Sequence, residues 1–306
     1  MRTALLRNGA RAAAAALALA TAFGGVATAA APGHGERGEH GREAVPIEIG
    51  AFGIHAPDNA AAGLVAFHVR TNDAKGRFVQ AFRPHKGVTV KKVIADLTKA
   101  VSRTPAGAQG ISAARDDAEW FGGAEVTPAV SETFTTRITP GPVVLIDFGA
   151  FLEDQKHPVL RTLTLHGTYG RHEVKSNDLA DFPGGIVITR ETPGGPRFDV
   201  NGVRKAKDSI LVHNASGELH EMEVRPVKPH TRDAEIQSFF NGPMNGPPPF
   251  VTGPALGLGL ISPGRTTLLE NHGMPAGTYA LLCFVPDDKT GRPHVAEGMH
   301  KVLRLT

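Results

Sequence analysis

Residues 277–299 read GTYALLCFVPDDKTGRPHVAEGM, and this stretch decides how the chain is read. It holds the only cysteine, Cys283, followed by His294 and Met299. Before Cys283 runs Thr278-Tyr279-Ala280-Leu281-Leu282, an apolar run of strand character. After Met299 runs Lys301-Val302-Leu303-Arg304-Leu305, alternating polar and apolar as a half-buried last strand does. The thiol and the His/Met pair therefore stand at the two mouths of one strand-loop-strand unit. Thiolate, imidazole and thioether are soft or borderline ligands, a set that suits copper.

Working outward, the rest of the chain reads as strands and turns. It has 306 residues with 36 Gly and 23 Pro, and its apolar runs are short and punctuated. One Cys excludes a disulfide framework and any Cys-rich zinc or iron-sulfur site. Residues 1–29 read as a signal peptide. Arg2, Arg7 and Arg11 form a basic start, residues 12–26 are mostly apolar, and Ala27-Thr28-Ala29 fits a cleavage site. Without them Lys+Arg and Asp+Glu both stand at 30, so there is no electrostatic case for nucleic acid. The expected product is secreted, or extracytoplasmic, with no transmembrane anchor. Residues 30–44, polar and Gly-rich with His34 and His40, read as a disordered linker.

From Val45 the texture alternates. Residues 63–70 (GLVAFHVR) read as a strand with 78–83 as its hairpin partner, and His68 within it as an ordinary strand histidine. Residues 89–101 (TVKKVIADLTKAV) switch to helical spacing, with Thr89 as N-cap. Residues 103–115 read as a loop, and Trp120-Phe121 as the cover of a core edge. Strands at 131–138, 143–148 and 157–167 complete a first unit, 45–167. The second unit, 168–306, repeats the plan. A strand at 204–214 pairs with 217–225, a short amphipathic piece at 231–240 stands for the first helix, and a Pro-rich loop at 242–250 follows. In this alignment Asp147 stands where the second unit has Cys283, and Phe78 where it has His220. The fold class expected is all-β: tandem Greek-key β-sandwiches with short helical insertions, arising by internal duplication.

At this point residues from about 198 to 306 resemble a cupredoxin, the fold of small blue copper proteins, as found in secreted bacterial cupredoxin-like proteins. The features are the KAKDSILVHN strand, the turn leading to His220-Glu221, the GPPPF loop, the Gly-Thr-Tyr strand ending in Cys283, and His294 followed by Met299. The first half resembles a degenerate copy. The resemblance implies one copper ion held by His220, Cys283, His294 and Met299, with a function in electron transfer or copper handling and a redox or surface protein as partner. Two departures stand out. Ten residues separate Cys283 from His294, more than a blue copper loop carries, and Glu221 follows the first histidine where a small residue is usual. Taken singly, Cys283, His220 and Met299 also have ordinary readings, an inert buried thiol, a solvent-facing strand histidine and a core methionine, whereas His294, after Arg292-Pro293 on a loop, is harder to explain by packing. His213 stands beside Asn214 as an outer donor, while His230 and His272 read as turn residues. The alternative function is a metal-free extracellular binding or structural module. A two-domain copper oxidase or nitrite reductase would carry His-x-His and His-Cys-His motifs; neither occurs, nor does a Gly-x-Ser-x-Gly elbow or a His-Glu-x-x-His helix. The chain is therefore expected not to be an enzyme.

Overall fold

The computed structural model describes residues 44–102, 106–167, 183–243 and 246–306. The signal peptide, nearly all of the linker at 30–44, residues 168–182 and part of the Pro-rich loop lie outside the described residues. The first half runs β1 (Val45–Gly50), β2 (Gly53–His55), β3 (Asn59–Ala61), β4 (Gly63–Arg70), β5 (Arg77–Pro84), α1 (Val90–Ala100), α2 (Ala106–Asp117), β6 (Ala118–Val126), β7 (Ser131–Ile138), β8 (Gly141–Asp147), α3 (Phe148–Glu153) and β9 (Leu160–His166). The second runs β10 (Gly185–Thr192), β11 (Gly195–Asn201), β12 (Ile210–Asn214), β13 (His220–Pro226), α4 (Asp233–Asn241), β14 (Leu256–Ile261), β15 (Thr266–His272), β16 (Gly277–Leu282) and β17 (His300–Leu305).

These strands form two mixed sheets, with one inner face packed on the other. One sheet has the order β11-β10-β12-β15-β7-β4-β1-β2, the other β17-β16-β13-β14-β6-β5-β8-β9-β3. Read from either end toward the middle, each order visits corresponding strands of the two halves, β3 excepted. The halves meet by strand pairing: β15 pairs antiparallel with β7 from Thr267–Thr136 to His272–Ser131, and β14 pairs with β6. Both sheets thus run through both halves, and one apolar cluster spans them, from Phe67 and Phe134 to Val212, Met222 and Cys283. A smaller cluster under α4 joins Ile236, Phe240 and Phe250 to Ala280, Leu282 and Val295. The expected all-β sandwich with short helices is what the chain forms.

Several local expectations change. β4 and β5 are not a hairpin, because β4 pairs with β1 and β7 in one sheet and β5 with β6 and β8 in the other. The connection between them crosses the sandwich through a turn in which the Asp73 carboxylate accepts from the Lys75 amide and from Arg77. The same holds for β12 and β13, which lie in different sheets. The strand expected at 204–214 is shorter, starting at Ile210, and the hairpin of β10 and β11 was not read at all. The loop expected at 103–115 is helix α2 over most of its length. Trp120 and Phe121 are fully buried rather than edge cover, with the Trp120 indole N–H donating to the Ala114 carbonyl at 2.8 Å.

Helix α1 is as expected. Val93, Ile94 and Leu97 are buried on one face, and the Thr89 hydroxyl accepts from the Lys92 amide at 3.2 Å. Replacing Thr89 by alanine removes this cap and is expected to cost about 1 kcal/mol in urea unfolding. Loss of less than a few tenths would show that the tertiary contacts of α1 carry its start without the cap.

Candidate metal centre

His220 opens β13, and Cys283 follows the last residue of β16; these two strands are hydrogen-bonded neighbours, with Glu223 opposite Leu282. Strand pairing therefore brings His220 and Cys283 to the same end of one sheet. The ten residues after Cys283 fold back on themselves. Pro286 bridges Pro293, the Asp287 amide donates to the Arg292 carbonyl, and the Asp287 carboxylate accepts from the amides of Lys289 and Thr290. A short 3-10 helix, His294–Glu297, then delivers His294, and Gly298 at φ 103° turns the chain into β17. The length of the loop is thus compatible with a closed site, because its own hydrogen bonds return His294 to Cys283.

Cys283 Sγ lies 3.5 Å from His294 Nδ1 and 3.7 Å from His220 Nδ1. The two imidazole rings are 4.6 Å apart, and all three side chains are fully buried. One ligand atom from each lies within 4.8 Å of the others. Metal–nitrogen bonds of about 2.0 Å and metal–sulfur bonds of about 2.3 Å, meeting at one ion, require spacings of this size. Met299 is also fully buried. Its amide donates to the His294 carbonyl at 2.9 Å and its carbonyl accepts from the Cys283 amide at 3.3 Å, so its main chain closes the same wall.

The electrostatics suit an arriving cation. Burial pushes the Cys283 thiol well above its ordinary value, and the Glu221 carboxyl nearby adds to this. Burial likewise pushes His220 down to about 4, the nearby Glu191 carboxylate opposing it. Without an ion the pocket holds a thiol and a neutral His220 imidazole. The Glu221 and Val285 amides favour a thiolate there but burial outweighs them, so a bound metal ion is the charge that would ionise the sulfur.

The outer nitrogens of both rings face carboxylates. His294 Nε2 is 3.2 Å from Glu218 Oε2, and His220 Nε2 is 3.6 Å from Glu191 Oε1, too long for a hydrogen bond. Burial opposes ionisation of Glu218, but the contact with His294 and the Asp288 amide outweigh it and hold the carboxyl at about 2. An inner nitrogen turned to the site and an outer one turned to a carboxylate is the arrangement that fixes tautomer and ring angle at metal centres. Glu221 stitches the site together from behind, accepting from the Phe284 amide at 2.8 Å, while burial raises it to about 8.

Sequence reading missed Glu191, Glu218 and the loop's own bonds. Glu218 had a usable signal: it precedes His220 by two residues, the spacing that puts strand side chains on one face. Glu191 had none, since its strand was not read. The remaining histidines lie elsewhere. His213, in the sheet that does not carry the site, contacts Thr266 on the neighbouring strand; His272 ends β15 rather than a turn and, with His68, flanks the Thr133 hydroxyl. His230 does sit in a turn, with φ 74°.

Matched by strand order, the first half has other residues at these positions. Gly141 and Gly277 open β8 and β16, which places Asp147 at the position of Cys283. Gln80 opposite Ile146 then matches Glu223 opposite Leu282, which places Arg77, not Phe78, at His220. Arg77 and Asp147 are ion-paired at 3.1 Å.

The strand order, together with a histidine opening one strand and a cysteine closing its neighbour before a returning His/Met segment, settles the architecture. The fold is cupredoxin-like. No family model and no curated protein matches the chain. Among solved structures it is similar to rusticyanin from Thiobacillus ferrooxidans, at 17% identity and TM-score 0.24, covering 40% of this chain and 76% of that one. It is similar to auracyanin from the photosynthetic bacterium Roseiflexus castenholzii, at 18% identity and TM-score 0.25, covering 40% and 94%. A third match, at 12% identity and TM-score 0.24, covers 83% of this chain and 57% of a copper-containing nitrite reductase from Thermus scotoductus. That match corrects one expectation from sequence. The neighbour matched over most of this chain is an enzyme, so the expectation that the chain is not an enzyme does not stand.

Proposed function

We propose that the second half binds one copper ion through His220 Nδ1, Cys283 Sγ and His294 Nδ1, with Met299 as a further donor, in an exported protein that transfers electrons or handles copper. One observation carries this reading: two imidazole nitrogens turned toward one buried sulfur at 3.5 and 3.7 Å. A copper ion in this pocket supplies one-electron exchange between its two oxidation states, and the thiolate and imidazoles suit both. The chain's part is to exclude water, to hold the His294 ring by its outer nitrogen on Glu218 and to release the thiol proton as the ion enters.

The leader at 1–29 supports export, and residues 30–44 serve as the linker to the folded part. The two halves, 45–167 and 168–306, are read as copies of one ancestral unit, supported by the mirrored strand orders. A redox protein is the partner this role requires; among the described residues no helix is long and apolar enough to cross a membrane. The test is titration of the mature protein with Cu(II) and Cu(I), followed by visible absorption, EPR and metal counting. One bound copper per chain with an intense thiolate-to-copper absorption is the expected result. Protein that takes up neither oxidation state overturns the reading.

A further inference from the structure

The loop between Cys283 and His294 is gripped from the other half of the chain. Helix α2 is seated firmly: Ile111 and Ala114 are buried, the Trp120 indole bonds its Ala114 carbonyl, and Gly110 lies so close to α1 that an added Cβ would be 2.3 Å from the Ala100 nitrogen. Its Ala108 faces Gly291 at the loop's tip, 3.4 Å from where a Cβ there would stand. In its last turn, Arg115 is mostly buried, with 24% of its side chain exposed. Nη1 donates to the Asp288 carboxylate and, at 3.4 Å, faces the Gly217 carbonyl. Nη2 donates to Ser112 and Nε to Asp116, both on α2.

One guanidinium thus touches both segments that carry the histidines, Gly217 ahead of His220 and Asp288 ahead of His294. The connection continues inward. The Asp288 amide donates to Glu218 Oε2 at 3.1 Å, and the same oxygen faces His294 Nε2 at 3.2 Å. Glu218 also has Lys289 beside it, 3.6 Å from Oε1 with 79% of its side chain exposed, a contact that solvent screens. A buried, forked guanidinium fixed at both ends holds geometry that a mobile ammonium does not.

We propose that Arg115 is a positioning residue for the metal centre: from the first half it locks Asp288, hence Glu218, hence the plane of His294. The inference rests on the copper reading for its functional meaning, but its structural content is testable without metal.

The experiment compares the full chain with Arg115→Gln, Arg115→Lys and Lys289→Gln. Trp120, the single tryptophan, is bonded next to Arg115, so its emission reports whether α2 stays seated. In metal-free protein, Arg115→Gln is expected to speed amide hydrogen exchange across residues 284–295 at least about tenfold with unchanged Trp120 emission, a change that merely fraying α2 would not produce. Copper affinity, measured by competition with a chromophoric chelator, is expected to fall about 10-fold with an altered EPR spectrum, the size of loss typical of an outer partner. Arg115→Lys should recover part of both effects, and Lys289→Gln should show neither. Wild-type exchange in Arg115→Gln overturns the proposal, as does faster exchange with an unaltered copper affinity and spectrum. If the unsubstituted protein takes up no copper, the proposed function fails, and the exchange comparison alone decides whether Arg115 orders the loop.

Discussion

Cys283→Ser is expected to abolish the visible thiolate-to-copper absorption and to lower Cu(I) affinity by more than about 100-fold, beyond what loss of an outer partner costs. The sulfur is the one donor in the pocket that becomes an anion at physiological pH when a metal arrives; a serine hydroxyl does not ionise there, and its hard oxygen suits copper(I) poorly. The substitution is nearly isosteric, and the new hydroxyl has two acceptors at hand in the Nδ1 atoms of His220 and His294, which lie 3.7 and 3.5 Å from the sulfur it replaces. Burying a hydroxyl that finds such a partner costs little, so the metal-free variant should unfold within about 1 kcal/mol of the parent. Loss of copper with retained stability would separate ligation from folding. Unchanged copper affinity in Cys283→Ser would move the binding site to other residues.

The sequence exposed the part of this site that lies on continuous strand-loop-strand chain, and concealed what depends on pairing between distant strands. Cys283, His294 and Met299 share one short segment whose flanking strands have clear patterns. Whether His220 reaches them depends on β13 pairing with β16, which a sequence shows only by analogy. Periodicity also fails to say which sheet a strand enters. β4 and β5 follow each other with turn chemistry between them, yet the chain crosses the sandwich there. Helix α2 was hidden by its own glycines. Gly107 and Gly110 weaken the helical pattern, but close packing on α1 leaves no room for a Cβ at Gly110. Matching Arg83 to Arg225 sets Phe78 at the place of His220, one residue off the strand register. In a strand that error swaps faces: Phe78 packs edge-on against Phe148, while Arg77 reaches Asp147.

That correction has an energetic consequence in the first half, where a guanidinium stands at the strand position that His220 holds in the second. Asp147 has 1% of its side chain exposed; Oδ2 takes the ion pair from Arg77 and Oδ1 accepts from the Ala150 amide at the start of α3. Arg77 is one-fifth exposed and also holds Asp73 at 2.6 Å. Arg77→Ala leaves Asp147 without its counter-charge and Asp73 with Lys75 alone, and is expected to cost about 3 kcal/mol at pH 7, the lower end for breaking a buried pair because one partner is partly solvated. The pH dependence follows from the two carboxyls. Burial raises Asp147 above its ordinary value, with the Ala150 amide and Arg77 opposing. A raised carboxyl favours the fold fully below its unfolded value of 3.8 and loses that contribution as pH rises through the folded value; removing Arg77 raises the folded value further and so enlarges the loss at neutral pH. Burial also opposes ionisation of Asp73, but the Lys75 amide and Arg77 outweigh it and hold the group low, so its contribution is present above 3.8 and lost as pH falls. Both effects make the cost of Arg77→Ala shrink toward pH 4, which urea unfolding at the two pH values would show. Adding Asp147→Asn keeps the acceptor for Ala150 and removes the charge, so it should restore most of the stability lost at pH 7. A double variant as unstable as Arg77→Ala alone would mean that Arg77 acts through packing rather than charge. Since the guanidinium already neutralises this end of the first half, copper should bind at one site per chain.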